Sequence, residues 1–311
     1  MDSLSQEHEN RFKQSEPLIL LGMHRSGTSL VVRLLAELGI HMGSWLSRDA
    51  EAVHFQRVNR RIYGAAGSKW GQVDSLLEAM RAPSFVQEQT RVARQAIFQE
   101  KRLPGARTEI ERFFGPELWP KVRQGEFPAW GWKDPRTTLV FPIWLNLFPN
   151  ARWVHVLRNG IDVAISVHRR SLKQERKLRN RLLAIDYSPA TLDFGYSFQL
   201  WENHVSFVLE HQHLVSPERF MEMRYEDLLA EPRAQLQQLA RFARHPVDED
   251  RLLAACQMVD RSRRDNWAYA SAYQDEIPAL AKTPLMETLG YTYSLGSQAA
   301  SPVAGAEVLP S

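Results

Sequence analysis

The chain has 311 residues, 44% of them apolar, and a formal net charge of +3, which suffices for one large α/β domain or two smaller ones. No apolar run approaches the roughly 18 residues of a membrane span, the N-terminus lacks a signal-peptide core, and a single cysteine, Cys256, excludes an internal disulfide and a cysteine-rich metal site. Aromatic residues sit in core-like segments rather than in a basic stripe, so nucleic acid is not an expected partner; nor is a membrane, and a cytoplasmic protein is expected.

In chain order, residues 1–16 are polar without apolar periodicity and read as a flexible end. Leu18–Leu21 reads as a buried strand, and Thr28–Leu38 as the helix after it, closed by Gly39. Residues 50–63 and 83–101 have helical patterns with long polar faces. Trp153–Leu157 is a second short strand with a helix over 160–170 behind it, residues 194–212 are helical, Arg219–Arg224 is a third strand, and 231–243 is the next helix. Strands alternating with helices predict an α/β fold, a central parallel sheet with helices on both faces. Residues 17–296 are read as one domain. The segment 297–311, rich in Ser, Ala, Gly and Pro, is read as a second flexible end.

The first strand and helix are joined by Gly22-Met23-His24-Arg25-Ser26-Gly27-Thr28-Ser29. Two glycines let the backbone turn tightly and approach a ligand, and amides at the following helix N-terminus suit an anion, so the loop has the layout of a phosphate cradle. A loop that hydrolyses nucleoside triphosphates carries Lys directly after the second glycine. Here that position is Thr28, and the cation comes earlier, at Arg25. The loop therefore suggests a phosphate-bearing donor used without a metal.

This segment resembles the 5′-phosphosulfate loop of sulfotransferases, especially bacterial and tyrosylprotein-type enzymes. A second stretch, Arg152-Trp153-Val154-His155-Val156-Leu157-Arg158 through Ser166, is similar to the family's other signature, in which an Arg ending a strand and a Ser eight residues later hold the donor's 3′-phosphate. Gly160 departs from the pattern, since many relatives have Pro there. The resemblance spans about residues 17–292. It implies a P-loop-type sulfotransferase fold and 3′-phosphoadenosine 5′-phosphosulfate (PAPS) as co-substrate with no metal. The sulfuryl group would pass to a hydroxyl, amine or phenol of a small-molecule, glycan or peptide acceptor. His24, Arg25, Ser26, Gly27, Thr28 and Ser29 would bind the donor's 5′ side, and Arg158 with Ser166 its 3′-phosphate.

Sulfuryl transfer needs cations at the sulfuryl oxygens and a base for the acceptor. Arg25 is the first cation. Lys133, in Trp132-Lys133-Asp134-Pro135-Arg136, resembles the Lys-Asp-Pro lysine of tyrosylprotein-type enzymes, with Asp134 and Arg136 orienting the segment; a salt-bridged turn is the plainer alternative. Glu51, Phe55 and Asn59 keep a spacing that relatives use for their base, which makes Glu51 the candidate, although a helix-cap acid would look the same. His54 competes, because imidazole has a suitable pKa and lies within a helical turn of Glu51. His24 is a third option, expected to shape the loop or touch the acceptor. Ser262 and Arg263, in a late basic segment with Trp267, are further donor-site candidates. Tyr225-Glu226-Asp227 reads as an acidic helix start.

Residues 169–181 hold seven basic residues against Glu175 alone. Leu178, Leu182 and Ile185 recur at helical spacing, so a charged helix face accounts for the run, with a lid over an anionic substrate as the sharper alternative. Two other functions share the cradle: a metal-dependent nucleotide kinase, against which the missing Lys weighs, and a catalytically silent nucleotide-binding module. Acceptor identity and oligomeric state are open at this level.

Overall fold

In the computed structural model the described residues are 3–99, 107–176, 188–261 and 267–291. Ser262, Arg263 and the tail 297–311 lie outside them, as do Leu178, Leu182 and Ile185.

Four strands, β1 (Leu18–Leu21), β2 (Gly131–Lys133), β3 (Arg152–Leu157) and β4 (Phe220–Arg224), form one parallel sheet in the order β2-β1-β3-β4. β1 and β3 are buried at every position, which is why they read as unbroken apolar runs rather than alternating ones. Leu18, Leu20, Val154 and Val156 face one core, and Ile19, Leu21, Trp132 and Trp153 face the other. Leu20 is in register with Lys133 and with Val154, so the C-terminal ends of the central strands lie side by side. At Gly131 an added Cβ would meet Leu18 O at 1.9 Å, so β2 sits as close to β1 as only glycine allows.

The helices are α1 (Ser3–Gln14), α2 (Thr28–Glu37), α3 (Val53–Ala65), α4 (Asp74–Met80), α5 (Pro83–Arg94), α6 (Glu109–Gln124), α7 (Phe141–Leu147), α8 (Gly160–Glu175), α9 (Phe194–His211), α10 (Tyr225–Ala230), α11 (Pro232–Phe242) and α12 (Glu249–Gln257). Short helical turns at Ile277–Leu280 and Pro284–Thr288 follow. Apolar residues of α2, α10, α11 and α12 close one core, and those of α3, α5, α7, α8 and α9 close the other. No described helix is long and apolar enough to cross a membrane.

Several boundaries differ from the sequence reading. The helix expected from residue 50 begins at Val53, because Leu46 and Ala52 pair in an isolated bridge and Ala52, the residue before the helix, is held in extended backbone. The pattern over 83–101 divides into α5 and a wide-turn segment, Gln95–Gln99. α8 runs past residue 170 to Glu175. Within residues 1–16, read as a flexible end, α1 forms and buries Phe12, 2% exposed, against Phe127, Phe114 and Trp130. Glu9 holds the helix with ion pairs to Arg94 at 2.7 Å and Lys13 at 3.2 Å. Its polar composition hid one deeply buried aromatic.

Candidate active site

The loop between β1 and α2 turns through three left-handed residues, Gly22 (φ 144°), Arg25 (φ 74°) and Gly27 (φ 95°). For Arg25 that conformation costs about 1–2 kcal/mol. The surroundings enforce it. Gly22 N donates to Thr138 Oγ1 at 2.9 Å, and Ser26 Oγ donates to Met23 O at 2.7 Å. Gly27 packs under Tyr225, whose ring carbon would lie 2.1 Å from an added Cβ. No side chain caps the first turn of α2, at Thr28 and Ser29.

Beyond β3, Arg158 is 7% exposed. One of its terminal nitrogens donates to Arg25 O at 3.3 Å, the other lies 3.7 Å from Asp162, and the guanidinium lies 4.7 Å from the Tyr225 ring centroid. Arg158 Nε is buried with no hydrogen-bond partner. Arg25 Nε donates to Ser166 Oγ at 2.9 Å, which joins loop to helix α8. Asn159 caps α8 by accepting from Ile161 N at 3.0 Å, while its own N–H donates to Glu226 at 2.9 Å. Gly160 has a local reason: an added Cβ would fall 2.5 Å from the Trp201 ring, whose Nε1 donates to Arg158 O at 3.1 Å. Tyr225 and Glu226, read from sequence as an acidic helix start, thus pack directly on this corner.

At the end of β2, Lys133 is 2% exposed. Its ammonium donates to Asp49 O at 2.7 Å and Ser29 Oγ at 3.1 Å. Glu51, also buried, lies 3.9 Å from Lys133, 3.7 Å from Arg136 and 3.8 Å from His24, and it accepts a short hydrogen bond from Gln56. Burial, reinforced by Asp134, raises the Glu51 carboxyl above its ordinary pKa despite the two cations. Burial likewise lowers Lys133, against the pull of Glu51 and Asp134. Asp134 is tied to Arg136 at 2.9 Å and to Asn59 at 2.8 Å, and Phe55 stacks on Trp132 at 4.0 Å. Phe55 and Asn59, one helical turn apart, therefore brace the lysine's strand.

His54 goes elsewhere. Its Nδ1 meets Glu109 Oε2 at 2.5 Å, and its ring lies 6.0 Å from Trp45. Since α3 begins only at Val53, the helical spacing that would have put His54 beside Glu51 does not apply, and His54 lies outside the lining of the cavity. His24 stays with Glu51, its ring 4.9 Å from Trp70. Burial first, then Arg136, Arg170 and Lys133, hold its pKa well below the ordinary histidine value, which favours the neutral ring.

Arg25, Glu51, Ser166 and His24 open onto one cavity of about 790 Å³. Asp49, Gln56, Arg136 and Trp70, which the sequence reading did not assign to a site, line it as well. The profile of the sulfotransferase family matches residues 17–249. The chain belongs to the sulfotransferase family. Among solved structures similar to this chain is the sulfotransferase domain from the curacin biosynthetic pathway, 16% identical, covering 90% of this chain and 99% of that one with a TM-score of 0.52. The sulfotransferase domain of the Synechococcus PCC 7002 olefin synthase is 18% identical over 90% of this chain and 96% of that one, TM-score 0.49. At these identities the curacin-pathway likeness concerns the fold. An uncharacterized protein of Aquifex aeolicus is 28% identical over 113 residues, 35% of this chain and 13% of that protein, so the match spans only a small part of the relative.

Proposed function

We propose that this sulfotransferase moves the sulfuryl group of PAPS to an acceptor hydroxyl, with Glu51 as base. The observation that carries the reading is the buried grouping of Glu51 with Lys133 and Arg136, in which Glu51 and Arg136 line the cavity that Arg25 and Ser166 also reach and Lys133 lies behind them, 3.9 Å from Glu51. A carboxylate raised by burial is a stronger base than a free one, and the two cations keep it ionised enough to act. Glu51 takes the acceptor's O–H proton as that oxygen bonds to sulfur. The bond from sulfur to the phosphate's bridging oxygen breaks, and 3′,5′-bisphosphate leaves. Arg25 and Lys133 neutralise charge on the sulfuryl and bridging oxygens. The uncapped amides of Thr28 and Ser29, together with Ser26, would hold the 5′-phosphate. Arg158 and Ser166 would hold the 3′-phosphate, and the orphaned Arg158 Nε is a donor that fits an anion.

The test is calorimetric titration, without magnesium, of 3′-phosphoadenosine 5′-phosphate (PAP) and adenosine 5′-phosphate on wild type and Arg158→Ala. Binding of the 3′-phosphorylated ligand alone, lost in the variant, is the expected result. Equal binding of both nucleotides, or binding only with magnesium and ATP, would overturn the reading in favour of a kinase.

A further inference from the structure

The two carboxylate oxygens of Glu51 face different partners. Oε2 accepts from the Gln56 amide and lies 3.7 Å from Arg136. Oε1 accepts no hydrogen bond among the described residues, and its neighbours are His24 Nδ1 at 3.8 Å and Lys133 Nζ at 3.9 Å. A separation of 3.8 Å is too long for a hydrogen bond, yet one oxygen about 2.8 Å from Oε1 and about 2.8 Å from Nδ1 closes a triangle with both. Glu51, His24 and Gln56 are 6%, 7% and 7% exposed, and all three line the cavity. Solvation at an open rim does not account for polar side chains held this deep.

His24 has a defined part in that triangle. A neutral imidazole carries one proton, on Nδ1 or on Nε2, and the other nitrogen is an acceptor. Nε2 is buried without a hydrogen-bond partner. A proton there would be a buried donor with nothing to meet, whereas a proton on Nδ1 lies on the side of the Glu51 carboxylate. These surroundings favour the Nδ1–H tautomer, and the ring is packed against Trp70 with centroids 4.9 Å apart. The result is one donor beside one charged acceptor. A hydroxyl satisfies both, because its O–H donates and its oxygen accepts, while an ether oxygen satisfies only the donor. Gln56, in the first turn of α3, already occupies Oε2, so Oε1 is the oxygen left to take a proton.

We propose that His24 Nδ1 and Glu51 Oε1 together hold the acceptor's hydroxyl oxygen, which makes His24 a substrate-binding residue; the inference rests on Glu51 being the base in the reading above. In the transfer step the O–H proton goes to Oε1, the oxygen bonds to sulfur, and the bond from sulfur to the bridging oxygen breaks with its electron pair leaving on the bisphosphate. His24 neither gains nor loses a proton. Phenol and its methyl ether, anisole, are the probes. Each is titrated into the PAP-saturated whole chain, with binding read from the probe's proton relaxation, as wild type, His24→Phe and His24→Asn. Phenol is expected to bind wild type about tenfold or more tightly than anisole, since only phenol donates to the carboxylate. His24→Phe should weaken phenol about fivefold, while His24→Asn, which keeps an N–H donor, should stay within about twofold of wild type. PAP affinity should change less than about twofold in either variant, and ¹⁵N spectra of histidine-labelled wild type should show the Nδ1–H tautomer at His24. Equal binding of phenol and anisole, no phenol binding, phenol affinity unchanged in His24→Phe, or the Nε2–H tautomer would overturn the proposal. So would a PAP affinity that falls with His24, which would assign it to the donor. If His24→Phe does not fold, the tautomer and the comparison of phenol with anisole on wild type decide. Failure of wild type to bind PAP at all strikes the donor reading instead, a result separate from any of these.

Discussion

Glu51 and Lys133 form a buried ion pair, Oε1 to Nζ 3.9 Å, with side chains 8% and 1% exposed. Each is displaced toward its neutral form by burial and drawn back by the other's charge. Turnover in the proposed mechanism needs the carboxylate and the ammonium together. It is therefore lost as pH falls through the raised Glu51 value and as pH rises through the lowered Lys133 value. The pH profile of kcat is expected to be a bell narrower than free Glu and Lys groups would produce. Glu51→Gln should cost about 10²–10⁴-fold in kcat. It should also lower the Lys133 pKa further, since its opposite charge is gone. Wild-type kcat in Glu51→Gln would remove Glu51 as the base.

His54 supplies the contrasting case. Because it pairs with Glu109 outside the cavity lining, His54→Gln should leave kcat within about threefold of wild type while lowering stability by about 1 kcal/mol. Urea denaturation and steady-state kinetics on the same preparation separate the two effects. A folded variant with kcat down a hundredfold, roughly the scale of a lost general base, would restore histidine to the mechanism.

Asn59 is the junction of the network under Lys133. Its amide donates to Asp134 and Thr137, and its oxygen accepts from Trp144 Nε1 at 2.8 Å, all without contact with solvent. Asn59→Ala strands those partners, each at about 1–3 kcal/mol, so a loss of several kcal/mol in unfolding free energy is expected. Asn59→Asp would set a second carboxylate against Asp134 and should destabilise at least as much at neutral pH. A denaturation midpoint unchanged by Asn59→Ala would show that the network relaxes at no cost.

Gly27→Ala tests the loop. The new methyl meets the Tyr225 ring and the residue must hold φ 95°, so both the melting temperature and PAP affinity should fall. Adding Tyr225→Ala relieves the clash but not the backbone strain, so the double variant should recover only part of the loss. Complete recovery would mean that the ring contact alone enforces glycine there.

β1 and β3 were legible because strands buried on both faces leave unbroken apolar runs, and because each run ends in a residue whose chemistry stands out, Gly22 or Arg158. β2 left no such pattern. It is a three-residue strand, Gly131–Lys133, that exists because Leu18 and Leu20 pair with it, and pairing across the chain has no local signature. Glu51 was visible through its spacing to Phe55 and Asn59. The direction of His54 was not, since it depends on where α3 starts, and the bridge between Leu46 and Ala52 decides that. The contact of Tyr225 with Gly27 and Arg158 is likewise non-local. Its sequence context, an acidic helix start, looks the same whether or not an anion site lies beneath it.

The family match begins at residue 17, yet the aromatic core does not. Phe12 sits 5.0 Å from the Phe127 ring and 6.0 Å from that of Trp130, and Trp130 stacks in turn on Trp132, the residue before Lys133. A version of the protein trimmed to the recognisable domain would leave a hole the size of a benzyl group two rings away from the proposed catalytic lysine. Any shortened version of this protein should therefore keep the first helix.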